Sequence, residues 1–300
     1  MTAAELTFGI SVTPLAAEYP RLVAQVLAAE RAGLQLVGIQ DHPYQRRFLD
    51  TFSLIADLLA RTTSLRFFPD VANLPLRQPT MMAKAAVSLD VISGGRFELG
   101  IGAGAFWDAV AGMGGPRRRP GESLEALEEA IGILRAVFDG ERVVRAPGPH
   151  YPLPGYPPGP PPAHRIEIWV GAYGPRALGL IGRLADGWVP SLGHLEPDRY
   201  RLASARLDEA ASAAGRDPAT IRRLYNVAGT ITHGERGEAP LDGPPDQWVD
   251  TLAHWALDLG VDTFVFWPSD SGTEQIELFA AEVVPGVRQA VGTQPERVLS

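Results

Sequence analysis

Residues 90–108 read DVISGGRFELGIGAGAFWD, a short apolar run with glycines before and after it. The run Phe97–Ile101 has the composition of a strand buried on both faces. Ser93-Gly94-Gly95 before it is typical of a helix end, because glycine adopts the left-handed conformation that closes a last turn. Helix, glycine turn and buried strand together indicate one unit of a parallel β/α fold.

The same pattern recurs along the chain and predicts eight strands: Leu6–Val12, Leu36–Gln40, Leu65–Val71, Phe97–Ile101, Ile166–Val170, Gly187–Pro190, Leu224–Ile231 and Thr263–Trp267. Helical periodicity between them predicts Glu18–Gly33, Asp50–Thr62, Gly121–Phe138, Pro175–Ala185, Pro197–Ala214, Gln247–Leu259 and Thr273–Val284. Asp50 is a candidate helix N-cap, and Gly33 and Gly260 are candidate helix ends. An eightfold alternation favours a closed TIM-type (β/α)8 barrel over a doubly wound sheet, with residues 1–300 as a single domain.

One segment departs from the alternation. Ala146–Arg165, before the fifth predicted strand, reads APGPHYPLPGYPPGPPPAHR and is dense in proline and glycine. It is interpreted either as a stiff connector or as a lid over the barrel mouth, because long ordered loops are often functional.

Composition narrows the class of protein. The chain has 300 residues, 45% of them hydrophobic, which describes an ordinary globular protein. A formal net charge of −8 argues against a nucleic-acid partner. The absence of cysteine excludes disulfides, thiolate metal sites and a cysteine nucleophile. Neither a membrane span nor a secretory leader is evident, so a cytoplasmic protein is expected.

Candidate site residues follow from the barrel rule that active sites form at the carboxyl ends of the strands. Asp41 and His42 come directly after the second predicted strand, and histidine is suited to moving protons near neutral pH. Asp70-Val71 and Asn73 lie at the end of the third strand, where an ordinary turn is the competing interpretation. The six histidines have no metal-ligand spacing, so no metal site is predicted.

Glycines follow two further strands. Gly102-Ala103-Gly104 belongs to a stretch that formally satisfies the dinucleotide pattern G-x-G-x-x-G/A, but the long helix that this pattern requires is absent. These glycines either let a flat ring approach the backbone or fit a tight barrel corner. Gly171-Ala172-Tyr173-Gly174 leads from a strand into a helix that begins with Pro175-Arg176, and free amides at a helix N-terminus favour a phosphate.

Five stretches resemble the luciferase-like monooxygenase family, in its branch of flavin- and deazaflavin-dependent oxidoreductases. They are IQDHPYQ (39–45), NLPLRQP (73–79), SLDVISGGRFELGIGAGAFWD (88–108), WVGAYGPRALGLIGRLADGW (169–188) and LGVDTFVFWP (259–268). The likeness extends from about residue 6 to residue 288 and implies a barrel that binds FMN or the deazaflavin coenzyme F420 at its mouth. It also implies a homodimer.

The resemblance assigns roles to particular residues. Asp41 and His42 match the pair that faces the cofactor in the deazaflavin branch, and a cis peptide that proline does not follow is implied near Asp70-Val71. The glycine run at 102–104 matches the cofactor-contacting loop, and the run at 171–174 matches the phosphate site. Sugar-phosphate dehydrogenases of this family have a glutamate where this chain has Ala105, so an apolar or aromatic substrate pocket is expected instead.

The leading hypothesis is hydride transfer between F420 and an unidentified small organic substrate. His42 would move the accompanying proton, and Asp41 would fix the cofactor or the imidazole. The alternative is an FMN-dependent monooxygenase that uses reduced flavin and oxygen. Two other hypotheses are a non-catalytic flavin carrier and a metal-free hydrolase with paired carboxylates, for which Asp41 and Asp70 are the main strand-end acids.

Overall fold

The computed structural model of the protein describes residues 6–269 and 272–292. Within them the strands are β1 (Thr7–Val12), β2 (Leu36–Ile39), β3 (Arg66–Pro69), β4 (Ala72–Asn73), β5 (Leu99–Gly102), β6 (Val144–Ala146), β7 (Leu153–Tyr156), β8 (Ile168–Val170), β9 (Gly187–Trp188), β10 (Arg222–Ile231), β11 (Asp242–Gly243) and β12 (Thr263–Pro268). The helices are α1 (Tyr19–Arg31), α2 (Thr51–Arg61), α3 (Pro79–Ser93), α4 (Trp107–Gly112), α5 (Pro120–Phe138), α6 (Pro175–Leu184), α7 (Pro197–Ala213), α8 (Pro245–Leu259), α9 (Glu274–Leu278) and α10 (Val284–Gly292).

The main sheet is a parallel barrel. Its strands follow the order β3-β2-β1-β12-β10-β9-β8-β5-β4, with β11 alongside β10. A parallel bridge between Phe67 and Phe97 joins β3 to the start of the β5 segment and closes the ring. Since β3 and β4 are two halves of one interrupted strand, the barrel has the eight strand positions that the sequence predicts, and the TIM-type fold is confirmed.

Local capping explains where several helices begin and end. The Asp50 side chain accepts a hydrogen bond from the Ser53 amide at 2.9 Å, so the predicted N-cap of α2 is present. Gly94 ends α3 in the left-handed conformation, with φ +70°. Gly33 and Gly260 follow α1 and α8 with φ values of +77° and +73°. These positions confirm the turns that the sequence predicts.

The barrel interior is filled in layers, because alternate residues of each strand point inward. A lower layer of apolar side chains forms one buried cluster: Leu36, Phe68, Trp169, Val189, Leu224 and Val265. Two residues further along these strands, the upper layer contains Gly38, Asp70, Gly171, Ser191, Asn226 and Trp267, with Ser11 beside Gly38 in register. Apart from Trp267 the upper layer is therefore polar or small, and it forms the base of the barrel mouth.

The Pro/Gly-rich segment Ala146–Arg165 runs along the outside of the barrel. It contains β7, which pairs antiparallel with β6. Its contacts lie on the outer helices: Glu129 of α5 accepts from the Tyr151 amide at 3.0 Å, and Asp90 of α3 accepts from the Ala163 amide at 2.6 Å. These contacts favour the connector interpretation over the lid.

The last helical region differs from the single helix predicted over Thr273–Val284. It consists of α9, a π-helical turn at Phe279–Val283 and α10, which continues to Gly292. Residues 1–5, 270–271 and 293–300 of the predicted single domain lie outside the described residues. Every helix in the described part of the chain is too short or too polar to cross a bilayer.

Candidate active site at the barrel mouth

His42 stands at the rim among aromatic side chains. Its Nδ1 lies 2.8 Å from the Tyr44 hydroxyl, and its ring contacts Phe106 edge-on with 6.0 Å between centroids. The Phe48 ring lies on another side of the imidazole, with 6.4 Å between the ring centroids. Burial lowers the pKa of His42 despite the nearby charge of Asp41, so the imidazole is neutral at neutral pH. A neutral imidazole offers one nitrogen as donor and one as acceptor.

Asp41 has a different partner from the expected one. Its carboxylate is buried and receives a forked ion pair from Arg77, with Nε and a terminal nitrogen each 2.8 Å away. The Asn73 amide donates a third hydrogen bond at 2.9 Å. Asp41 was expected to fix either the cofactor or the imidazole. Among the described residues its carboxylate forms no hydrogen bond with the His42 ring, whose Nδ1 is next to the Tyr44 hydroxyl. The role of Asp41 toward a cofactor stays a prediction. Asp41 ties the loop after β2 to the end of β4.

Arg77 is a residue that the sequence analysis missed. Besides Asp41 it bonds the carboxylate of Asp50 at 2.7 Å, and its guanidinium lies 4.5 Å from the centre of the Phe52 ring. The two carboxylates raise its pKa against the opposing effect of burial. A lone arginine between two prolines in NLPLRQP was the available signal, but nothing local indicates that its partner lies 36 residues away.

A cis peptide joins Asp70 to Val71, at the position that the resemblance implies. The Val71 side chain at this bulge occupies the space above two neighbouring strands. A Cβ on Gly102 would lie 2.8 Å from Val71 Cγ2, and one on Gly171 would lie 3.1 Å from it. The absence of a side chain at both glycines therefore leaves room for the Val71 side chain, which favours the packing interpretation of these positions.

The loop after β5 turns sharply at two residues. Gly104 has φ +103°, and a Cβ there would collide with the Pro75 ring. Phe106 is the one non-glycine residue with positive φ in the described chain, and 65% of its surface is exposed. Only the six-residue α4 follows, so the glycines are not a dinucleotide fingerprint. Ala103, between the two glycines, is half-buried against the core.

Asp70 projects into the upper layer of the barrel. Its Oδ1 accepts from Asn226 Nδ2 at 3.0 Å, and its Oδ2 accepts from the Ser11 hydroxyl at 3.4 Å. The same Asn226 nitrogen donates to Ser191 Oγ at 3.2 Å. Burial raises the pKa of Asp70 to about 6, although both donors favour the carboxylate. The sequence analysis missed Ser11, Ser191 and Asn226. A signal was available for Ser191 and Asn226, because each follows a buried apolar residue, Val189 or Leu224, by two positions.

Two buried amide oxygens in the mouth have no hydrogen-bond partner among the described residues. They are Oδ1 of Asn73 and Oδ1 of Asn226, in side chains that are 6% and 4% exposed. A buried carbonyl without a donor costs about 1–3 kcal/mol. The two residues stand on strands β4 and β10, which are well separated around the barrel. Both oxygens are thus available to hydrogen-bond donors of a ligand.

The segment after β8 keeps its backbone amides free. The Gly171 amide bonds the Ile101 carbonyl at 3.1 Å, but those of Ala172, Tyr173 and Gly174 have no partner among the described residues. Gly174 is the N-cap of α6. The amides therefore stand beside the positive end of a helix, which is the chemistry of an anion site.

Side chains hold this segment in place. Trp188 Nε1 donates to the Ala172 carbonyl at 2.8 Å. The Tyr173 ring stacks on His194 with 5.7 Å between centroids and 18° between planes. Within the described residues, no group of three His, Cys, Asp or Glu side chains is arranged to hold a metal ion.

Comparison with known proteins places the chain among redox enzymes. The model of the luciferase-like monooxygenase family matches residues 5–237. The 5,10-methylenetetrahydromethanopterin reductase of Archaeoglobus fulgidus is 32% identical over 213 residues, which cover 70% of this chain and 60% of the reductase. The chain thus spans less than two thirds of that relative.

Two other similar proteins carry F420 in their names. The F420-dependent hydroxymycolic acid dehydrogenase of Mycobacterium tuberculosis is 29% identical, with 89% of this chain and 84% of the dehydrogenase covered. An F420-dependent secondary alcohol dehydrogenase, solved with an F420-acetone adduct, superposes with a TM-score of 0.84 at 16% identity. The superposition covers 96% of this chain and 100% of that structure, and it shows a shared fold.

Proposed function

Because the chain belongs to the luciferase-like monooxygenase family, we propose that it is an oxidoreductase that transfers a hydride between F420 and a small organic substrate. The names of the dehydrogenase relatives support F420 over other cofactors. The observation that carries the proposal is the row of free amides at Ala172, Tyr173 and Gly174, beside the N-terminus of α6. Such a row suits the phosphate of a cofactor tail.

The residues of the mouth also suit a planar heterocyclic ring. Asn73 Oδ1 is a buried acceptor that lacks a donor, and a ring N–H would satisfy it. Val71 at the bulge offers an apolar surface on which a ring can lie. When bound, F420 supplies the carbon centre that accepts or donates the hydride, and the protein supplies binding and orientation.

His42 is the proposed proton carrier of the site. The Tyr44 hydroxyl keeps its proton at neutral pH, since burial raises its pKa to about 12. In the proposed tautomer it donates to Nδ1 of the neutral imidazole, 2.8 Å away, and the exchangeable proton is on Nε2. His42 would deliver that proton to the substrate oxygen or remove it, and Tyr44 would fix the tautomer. Asp41 and Arg77 are positioning residues, because they hold the loop and not the proton.

The rim indicates the substrate class. Tyr44 and Phe106 lie 5.8 Å apart between centroids and present apolar surface next to His42. This chain has the uncharged Ala105 at the position where sugar-phosphate dehydrogenases of this family have a glutamate. The chain therefore suits an apolar or aromatic substrate whose reacting carbon is held close to the cofactor.

A pair of variants at Gly174 tests the phosphate site. Its φ of −78° suits proline, which removes the amide hydrogen, whereas alanine keeps it. A Cβ there would meet no atom within 4 Å. Gly174→Pro is expected to weaken F420 binding by about tenfold, as the loss of one charge-assisted hydrogen bond predicts. Gly174→Ala should bind within about twofold of the unmodified protein.

A phosphate-free deazaflavin serves as the second ligand in this experiment. Its affinity should be the same in both Gly174 variants, because the amide has no phosphate to bind. Equal weakening of both ligands by Gly174→Pro would show a distorted loop and would contradict the phosphate assignment. Circular dichroism checks that both variants are folded.

The alternative function is an FMN-dependent monooxygenase that uses reduced flavin and oxygen, which the family name favours. FMN has the same kind of ring and phosphate, so the site chemistry described above serves either cofactor. Titrating the protein with F420 and with FMN separately distinguishes them. Tight FMN binding without F420 binding would reverse the preference. We also propose a cytoplasmic location, as the sequence predicts, and a homodimer, as the family resemblance implies; light scattering tests the second.

A further inference from the structure

Three consecutive arginines, Arg117-Arg118-Arg119, lie in the loop before α5. Two of them are engaged within the protein. Arg117 forms an ion pair with Asp108, and Arg118 donates to the Tyr151 hydroxyl at 3.0 Å. Arg119 is exposed, and among the described residues no carboxylate forms an ion pair with its guanidinium. One cation of the run is therefore available to a ligand.

Arg176 brings a second exposed guanidinium to the same end of α5. It stands in the first turn of α6, and one of its terminal nitrogens lies 3.9 Å from the point that a Cβ on Gly121 would occupy. Gly121 is in the first turn of α5, so the N-termini of the two helices meet at Arg176. Each N-terminus adds partial positive charge. Within the described part of the chain, no acidic side chain forms an ion pair with Arg176.

The carboxylates of α5 that could neutralise these two arginines have other partners. Glu122 accepts from the backbone amide that precedes α5, at 2.8 Å. Glu125 contacts the His150 ring at 3.4 Å. Glu128 forms an ion pair with Arg183 of α6 at 3.0 Å. The two guanidiniums are therefore available to an external anion, in a chain whose formal net charge is −8.

These arginines lie where the tail of a bound cofactor would leave the barrel. In the proposed function the ring lies on the Val71 bulge, and the phosphate lies on the free amides of residues 172–174. Arg176 follows the last of these amides by two residues. Because the helices surround the barrel, a tail that continues outward from the phosphate passes over the N-termini of α6 and α5.

We propose that Arg119 and Arg176 form a second anion site, which binds the carboxylates of the cofactor tail beyond its phosphate. The inference rests on the proposed function and deepens it. F420 continues beyond its phosphate into a lactyl oligoglutamate chain with several carboxylates, whereas FMN ends at its phosphate. Guanidinium groups bind carboxylates through charge-assisted hydrogen bonds. The site therefore favours the deazaflavin over FMN at a place that the planar ring does not reach.

The test measures dissociation constants, without turnover, for two deazaflavins that differ only in the tail. One is F420 with its oligoglutamate chain, and the other is the shortened cofactor that ends at the phospholactate. At low ionic strength the unmodified protein should bind the long-tailed form about tenfold more tightly. Arg119→Gln and Arg176→Gln should each weaken binding of this form by about threefold, and the double variant by about tenfold. Binding of the shortened form should change by less than about twofold.

Control variants separate the effect of charge from that of structure. Arg176→Lys keeps the positive charge and should bind long-tailed F420 within about twofold of the unmodified protein. Arg142→Gln removes an exposed arginine beyond the opposite end of α5 and should change neither affinity. About 0.5 M salt should remove most of the preference for the long tail, because it screens exposed charges. Circular dichroism checks that every variant is folded.

Two outcomes would overturn the proposal. One is equal weakening of both deazaflavins in the glutamine variants, which would assign these arginines to the phosphate site. The other is equal affinity of the unmodified protein for the long-tailed and shortened forms, with no effect of either substitution. If the unmodified protein bound neither deazaflavin, the proposed function itself would be wrong, and the tail site with it.

Discussion

Asp70 should make the stability of the protein depend on pH, independently of any ligand. Burial raises its pKa from 3.8 to about 6 in the folded protein. The folded state therefore binds this proton more tightly than the unfolded state, and stability falls as the pH rises from about 4 to about 6. Above pH 6 the folded protein holds an ionised carboxylate that the unfolded chain would solvate better. Asp70→Asn removes this pH-dependent loss.

The size of the effect follows from the pKa. Each pKa unit is worth about 1.4 kcal/mol, so the full difference is about 3 kcal/mol. Asp70 is partly exposed, and water at the mouth reduces the value to about 1–3 kcal/mol. For 300 residues the upper figure corresponds to about 5 °C in Tm.

The assay is urea unfolding of the apo protein and of Asp70→Asn at pH 4 and at pH 7.5. At each pH, the free energy of unfolding of the unmodified protein is subtracted from that of Asp70→Asn. The change in this difference between pH 4 and pH 7.5 is the informative quantity, because the uncharged amide forms the same hydrogen bonds at both pH values. Asp70→Asn should gain about 1–3 kcal/mol relative to the unmodified protein on going to pH 7.5. A stability difference that is constant between pH 4 and pH 7.5 would refute the reasoning.

Asp186→Asn is the matched control, because the pKa of Asp186 is shifted in the opposite direction from that of Asp70. Burial works to raise the pKa of Asp186, but the charge and hydrogen bond of Arg135, together with the Ile168 amide, lower it overall. Its ionised form therefore stabilises the fold above the pKa of an unfolded aspartate and loses this contribution as the pH falls. Both assay pH values lie above the pKa of an unfolded aspartate, so Asp186→Asn should lose nearly the same stability at pH 4 and at pH 7.5, and its loss should shrink only below about pH 3.

Three further predictions concern the mouth and its support. Arg77→Leu leaves the buried carboxylate of Asp41 without its cation and should destabilise the protein by about 3 kcal/mol, measured by urea unfolding. Tyr44→Phe removes the hydroxyl bound to the imidazole and should lower kcat about tenfold with KM nearly unchanged, as steady-state kinetics with the identified substrate would show. Gly102→Ala should destabilise the protein by about 1–3 kcal/mol through its collision with Val71. Adding Val71→Ala to this variant should recover about 1 kcal/mol or more of the free energy of unfolding. If the effects of the two substitutions were purely additive, the contact would be contradicted.

The sequence alone determined the architecture, because the signals for a β/α barrel are local. Buried strands appear as short apolar runs and helix ends appear as glycines, of which Gly94 at the end of α3 is one case. The rule that sites form at strand ends then selected the positions of His42, Asp70 and the segment Gly171–Gly174 before any contact was known. The aromatic rim around His42 could be anticipated only in part, since Phe48 was not distinguished from an ordinary loop residue.

Only the tertiary structure decided which partner each of these residues has. Asp41 is bound to Arg77, 36 residues away, and Asp70 is bound to Asn226, 156 residues away. Closing the barrel brings distant strand ends to one rim, and no local pattern records which side chains then meet. The role of Gly102 is similar, because the need for a missing side chain becomes visible only when Val71 of another strand stands against it. Hydrogen bonds and close contacts depend on distances in space, whereas periodicity and capping depend on neighbours along the chain.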